Sequence, residues 1–358
     1  MKIIKHGIVS RITDSFFSYQ AWPSACIDEN GTVYVVCSGF RMGHMCPFGK
    51  IVLYKSKDGG ESFGLPSVIT DNFLDDRDPG ILYLGEGKMI VTRCSHPAER
   101  YENDFADWIY SDSGDAGAGL LKHFPQIPEN KRSGGCFYRF LYDYGEKAGE
   151  EMKIPVHSPH GPALLKDGSI LYLGKATFPD DEEIQDLFFA YKSTDGGKTF
   201  QMQGELKIPA EYNLSQLHEA YCAELPDGTL MGLLRTHLME NDHYFTITKS
   251  LSADGGKTWS TPEETGICGS PPHLLILKDG RGVLTYGRRI PPYGIYGRTV
   301  SEKGEIADDE FKLAECRDSD IGYPATVEMP DGTLFTVYYA RYNEDKNASI
   351  LSVKWVLD

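Results

Sequence analysis

The residues best equipped for chemistry recur at matched positions of a repeated unit. Asp78, His160, Glu219, His273 and Tyr323 each stand at the start of a short strand-like run, and Arg41, Arg93, Lys175, Arg235, Arg288 and Tyr338 lie near the end of the run that follows. A packed core would place valine or isoleucine there. Guanidinium groups grip anions through bidentate, permanently charged forks. Carboxylates, imidazoles and a phenol gathered at one place perturb one another's pKa values, which suits proton transfer. One such residue would be an ordinary satisfied structural group, whereas several in register point to a site.

Two interleaved repeats must position these residues. Ser56–Phe63 (SKDGGESF), Ser193–Phe200 (STDGGKTF) and Ser252–Trp259 (SADGGKTW) share the pattern S-x-D-G-G-x-[ST]-[FW], each after a β-rich run. Serine and aspartate satisfy the N–H groups of a turn, glycine supplies positive φ, and the aromatic returns to the apolar layer. Weaker echoes occur at Ser111–Gly114 and Ser301–Gly304. The second repeat joins two strands through a D-G or N-G type of turn, in six copies that begin near Ser24, Gly80, Pro162, Tyr221, His273 and Ala325. Helical periodicity is nearly absent, with a turn or two expected only around 140–152. The pattern predicts an all-β fold, a six-bladed β-propeller formed by residues 1–358 as one domain. The N-terminal KIIKHGIVSRI is expected to pair with the C-terminal SILSVKWVLD and hide the edges of the last blade. The excess of chain between Ser111 and His160 predicts an aromatic-rich loop, around 118–156, over the mouth of the central channel.

Composition narrows the function. With 36 Lys+Arg against 52 Asp+Glu, the formal charge is −16, which argues against nucleic acid as a partner. The hydrophobic fraction of 41% excludes a disordered chain. No apolar run approaches the roughly 18–20 residues of a membrane span. His6, Arg11 and Asp14 interrupt what would be a signal-peptide core, so a cytoplasmic location is expected, or a secreted or periplasmic one if a leader has been removed. Eight cysteines without a C-x-x-C pair read as buried free thiols. His157-Ser-Pro-His160 lacks a third ligand pattern, and H-E-x-x-H and phosphate-binding glycine loops are absent, so no metal and no cofactor is expected. Nothing in the sequence marks an oligomeric state.

The S-x-D-G-G-x-[ST]-[FW] turn is the Asp-box, and six such blades resemble the sialidase (neuraminidase) superfamily of bacterial type. Leu217–Arg235 (LHEAYCAELPDGTLMGLLR) is similar to the sialidase segment in which a glutamate precedes E-L-x-D-G and an arginine ends the next strand. Gly322–Gly332 (GYPATVEMPDG) resembles the segment that carries a nucleophilic tyrosine, and the arginine of blade five would lie in Thr285–Arg289 (TYGRR). The resemblance implies a retaining exo-α-sialidase that releases terminal N-acetyl- or N-glycolylneuraminic acid from sialylated glycans. A sialic acid carries a carboxylate on its anomeric carbon, so arginines can clamp it. A neutral tyrosine avoids the repulsion that a carboxylate nucleophile would meet, provided that a base stands beside it.

The implied roles are Tyr323 as nucleophile, Glu219 as base, and Arg235 and Arg288 as the clamp. Arg288 and Arg289 face opposite ways in a strand, so only one can serve. Blade one reads Ala21-Trp22-Pro23-Ser24 where the family carries an arginine, which leaves Arg41 and Arg77 as candidates for the third. The stretch before the first Asp-box, Gly43–Phe48, lacks the family's acid/base aspartate and offers His44. Asp78 is the preferred acid, with His44 or His160 as the alternative. The competing readings are a glycosidase or lyase for another sugar and a non-catalytic glycan-binding propeller.

Overall fold

Alternating apolar and polar residues on either side of tight turns form antiparallel hairpins, and the hairpins assemble into six four-stranded sheets. The computed structural model describes residues 1–210, 212–237 and 244–357. Five sheets take four consecutive strands in chain order. The sixth is Gly322–Glu328, Leu334–Arg341 and Ala348–Val356, completed by the N-terminal strand Lys2–Ser10. Lys2 lies opposite Val356 and Ser10 opposite Ile350, so the two ends of the chain close the ring as expected. Trp355, fully buried, anchors this closure through a 2.9 Å hydrogen bond from its Nε1 to Thr336 Oγ1. The fold is all-β in its blades, a six-bladed propeller.

The core is a ring of six apolar layers, one between each pair of neighbouring blades. Val35, Val52, Phe335 and Val337 fill the layer between blades one and six, and Leu171, Ala190, Leu230 and Leu234 that between three and four. The S-x-D-G-G turns join the layers from the rim. Asp195 accepts from Thr199 N at 3.0 Å, and Ser193 Oγ accepts from Gly197 N at 2.9 Å. The closing aromatic then packs on the preceding blade, Phe63 against Phe335 and Phe200 against Tyr138. Gly60 has φ +85°, and a Cβ there would lie 2.3 Å from the Phe335 ring, so this turn requires glycine.

One expectation fails in blade two. The inserted segment is helical and earlier in the chain: α1 (Ala98–Asn103) and α2 (Ala106–Leu121) lie between strands Lys88–Ser95 and Gly135–Tyr142. The aromatic stretch expected as a mouth loop within 118–156 is largely the outer hairpin of the blade, Gly135–Tyr142 with Lys147–Lys153. Ser111–Gly114, read as a turn echo, lies inside α2. The helix escapes a periodicity reading because it is rich in small and polar residues and breaks at Gly114, φ +57°. Tyr101, Ile109 and Phe124 of the insertion bury themselves with Met45 and Leu74 of blade one.

Candidate active site

Five of the six inner strands slip register near their beginnings. The slips fall between Ala21 and Ser24, Arg77 and Gly80, Leu217 and Ala220, Ser270 and His273, and Gly322 and Ala325. A bulge re-aims a side chain, and four of these bulges contain Trp22, Asp78, Glu219 and Tyr323, which together line one cavity. Trp22, Asp78 and Tyr323 have φ of 53°, 50° and 50°. Left-handed backbone costs such residues about 1–3 kcal/mol each and persists where the surroundings hold it. Proline follows all three, and it has no N–H for the interrupted ladder to leave unpaired. Between blades two and three the backbones nearly touch: a Cβ on Gly80 would lie 2.1 Å from Gly161 N, so glycine is obligatory beside Asp78.

Tyr323 is 4% exposed and donates its hydroxyl hydrogen to Glu219 Oε1. Arg235 Nη1 donates to Glu219 Oε2 at 2.7 Å and to the Tyr323 hydroxyl oxygen at 3.3 Å, which ties three blade-borne groups into one triangle. The Arg235 guanidinium lies over the Phe245 ring at 4.0 Å. Arg289 reaches the same centre from blade five: its Nη2 donates to Tyr339 Oη at 3.0 Å, and its Cζ is 5.8 Å from the Tyr323 ring centroid. The Nε atoms of Arg235 and Arg289 are buried and without a protein partner. Such donors are costly to bury unless a ligand accepts from them.

The electrostatics follow from burial and these contacts. Burial alone would raise the Glu219 carboxyl, but the Arg235 charge, His218 and the Tyr323 hydrogen bond outweigh it and bring the pKa to about 2. Burial, then the Glu219 charge, push the Tyr323 phenol well above its ordinary value. The resting pair is therefore carboxylate and neutral phenol.

The remaining sequence candidates separate into two groups. Arg77 and Asp78 line the cavity, joined by a 3.0 Å bond from Arg77 Nε to Asp78 Oδ2. His44 also lines it, with Nδ1 3.1 Å from both Tyr19 Oη and Asp320 Oδ1, and its ring stacks on Trp108 of α2 at 5.3 Å. Three residues lie elsewhere. Arg288 turns away from the mouth to pair with Glu310 over the Tyr296 ring, and Arg289, its neighbour, lines the cavity instead. Arg41 is fully buried in an ion pair with Asp75 and supports the Trp22 ring from 4.5 Å. His160 lies off the mouth, packed on His273 at 5.1 Å and on Tyr323 at 6.2 Å, and both residues line a separate cavity.

Residues outside the candidate set complete the wall. Trp22 lies at the position where the sequence resemblance implies an arginine, with Arg77 stacked on it at 4.3 Å. Cys94, His96, Arg100, His157, Asp186 and His218 also face the cavity. The proline that follows Trp22, as it follows Asp78 and Tyr323, is the sequence signal that could have found it; Arg100 sits on an insertion helix that carries none. The cavity measures about 450 Å³ and exposes five cationic side chains (Arg77, Arg100, Lys175, Arg235, Arg289) against three carboxylates. In a chain of net charge −16 this is a local field for an anion.

Fold and mouth together define the class: a six-bladed propeller with a cationic polar cavity in which a phenol, a carboxylate and two arginines meet. Solved structures of the same architecture include sialidases. A protein of unknown function from Dyadobacter fermentans is 21% identical over 99% of both chains, with a TM-score of 0.77. The intramolecular trans-sialidase of Ruminococcus gnavus is 15% identical, with 98% of this chain and 97% of that one covered and a TM-score of 0.71. The NanB sialidase of Streptococcus pneumoniae is 14% identical over 98% of this chain and 70% of its own, with a TM-score of 0.70. At these identities the likeness is one of fold. No family model and no curated protein matches the chain.

Proposed function

We propose that the protein is a retaining exo-α-sialidase acting on terminal sialic acids of glycans, with Tyr323 as nucleophile. The observation that carries this reading is the direct contact of the Tyr323 hydroxyl with Glu219 and Arg235, with Arg289 beside it. Arg235 and Arg289, which line the cavity, would grip the sugar's carboxylate. Tyr323 Oη then attacks the anomeric carbon while its proton passes to Glu219. The glycosidic bond breaks, and Asp78 protonates the departing oxygen. Water then attacks the anomeric carbon and gives a proton to the Asp78 carboxylate left by the first step, while the bond to Tyr323 breaks and Glu219 returns the proton to the Tyr323 oxygen. A bound carboxylate draws guanidinium charge away from Glu219, so the base strengthens when substrate arrives.

Trp22 favours a second reading, a glycosidase or lyase for another anionic sugar. Arg77 is held by Asp78 and Arg235 by Glu219, so three free guanidinium groups do not stand ready at the mouth. Fluorogenic sialoside hydrolysis by the wild type, Tyr323→Phe and Glu219→Gln tests the proposal. We expect turnover by the wild type and a loss of about 10²–10⁴-fold in Glu219→Gln, the usual worth of a general base, with a loss at least as large in Tyr323→Phe. Equal turnover by all three proteins would refute the mechanism. Activity on a uronide and none on the sialoside would select the second reading.

A further inference from the structure

We infer that Asp78, Cys94 and His157 form a binding site for a thiophilic divalent cation of the zinc class in the wall of the mouth cavity. Among the described residues these three bring a carboxylate oxygen, a thiol sulfur and an imidazole nitrogen within 4.8 Å of one another. They come from three elements: the bulge that opens blade two, the next strand of that blade, and the entry to blade three. The sequence shows no metal spacing for this reason, since the ligands meet only when the blades pack.

The donors are set as ligands. His157 is 7% exposed, and its Nε2 has no partner. Its Nδ1 lies 3.4 Å from Tyr172 Oη, which already donates to Ser158 O at 2.9 Å, so Nδ1 carries the hydrogen and the lone pair is on Nε2. This is the outer contact that orients a metal-binding imidazole. Asp78 Oδ1 is buried and unpartnered, while Oδ2 is fixed by Arg77. Cys94 Sγ lies 3.9 Å from Asp78 Oδ2.

An N, O, S set of three protein ligands with the fourth position open to a cavity suits zinc, whose bonds of about 2.0–2.3 Å need the three groups to draw together by roughly an ångström. A thiolate disfavours calcium and magnesium. On binding, Cys94 releases its proton to solvent, and its thiolate joins the Asp78 carboxylate, which Arg77 already contacts, in facing the dication. The inference rests on geometry and is independent of the glycosidase reading. If that reading also holds, the metal occupies the acid, and the metal-free form is the active one.

Cobalt(II) titration of the chelator-treated full chain tests the site. The expected result is one equivalent of Co²⁺ bound, with thiolate-to-cobalt charge-transfer absorption that Zn²⁺ displaces. The band should vanish in Cys94→Ser, weaken at least tenfold in affinity in His157→Gln, and persist in Cys222→Ser, a core thiol of blade four. Circular dichroism reports whether each variant is folded; should Cys94→Ser misfold, His157→Gln decides. Absence of the band in the wild type, or its survival unchanged in folded Cys94→Ser or His157→Gln, overturns the inference. No substrate enters this experiment, so its failure leaves the proposed hydrolysis untouched.

Discussion

Arg288 and Arg289 are neighbours in sequence with opposite fates. Arg288 ends its strand facing Glu310 and the Tyr296 ring, and Arg289 points at Tyr323. Alternation says that only one can face the mouth, but register at a strand end is set by the bulge between Ser270 and His273, which no local sequence rule counts. Tyr323, Glu219 and Arg235 were legible because each sits in a repeat with a matching turn. Arg41 was misread because a guanidinium at a strand end looks the same whether it meets a ligand or the buried Asp75. Steady-state kinetics separate the pair: Arg289→Ala should raise KM by at least tenfold, while Arg288→Ala leaves KM within about twofold. The scale is that of one charge-assisted hydrogen bond, about 1.5–3 kcal/mol. The reverse ranking would put Arg288 at the site.

At the scale of elements, the S-x-D-G-G turns are joints between neighbouring blades. Gly60, Gly197 and Gly256 each press on a side chain of the preceding blade, Phe335, Ile90 and Leu171 respectively. Gly60→Ala should cost about 1–3 kcal/mol through overpacking and strain at positive φ, read as a lower denaturant midpoint, with KM unchanged. A neutral result would mean that the turn is not the joint between blades one and six. These turns and the D-G hairpins are local, so the sequence displayed them and the six blades with them. The insertion was not legible, because α1 and α2 hold together by burying Tyr101, Ile109 and Phe124 against blade one, a contact between distant residues.

The whole molecule gathers histidines around its axis. His44, His96, His157, His160 and His273 all have lowered pKa values, chiefly through burial, His157 to about 4 and His273 to about 3. The unfolded chain takes up these protons below pH 6.5 whereas the folded one refuses them, so stability should fall as pH drops from 6.5 toward 4. Asp76, raised to about 6 by burial, opposes this between pH 4 and 6 but is one group against several. Glu219, at about 2, adds to the loss below pH 4.5. Denaturant midpoints at pH 7, 5.5 and 4.5 should decrease in that order; a constant or rising series would contradict the buried neutral state.

The central claim is that groups from separate blades converge to make Tyr323 a nucleophile. Its most direct test is intact-mass spectrometry with peptide mapping after incubation with a 2,3-difluorinated sialic acid, which slows release from the covalent stage. The account predicts one sugar attached at Tyr323 and none in Tyr323→Phe. A sugar mapped to another residue, or an active enzyme that never acquires one, would contradict it.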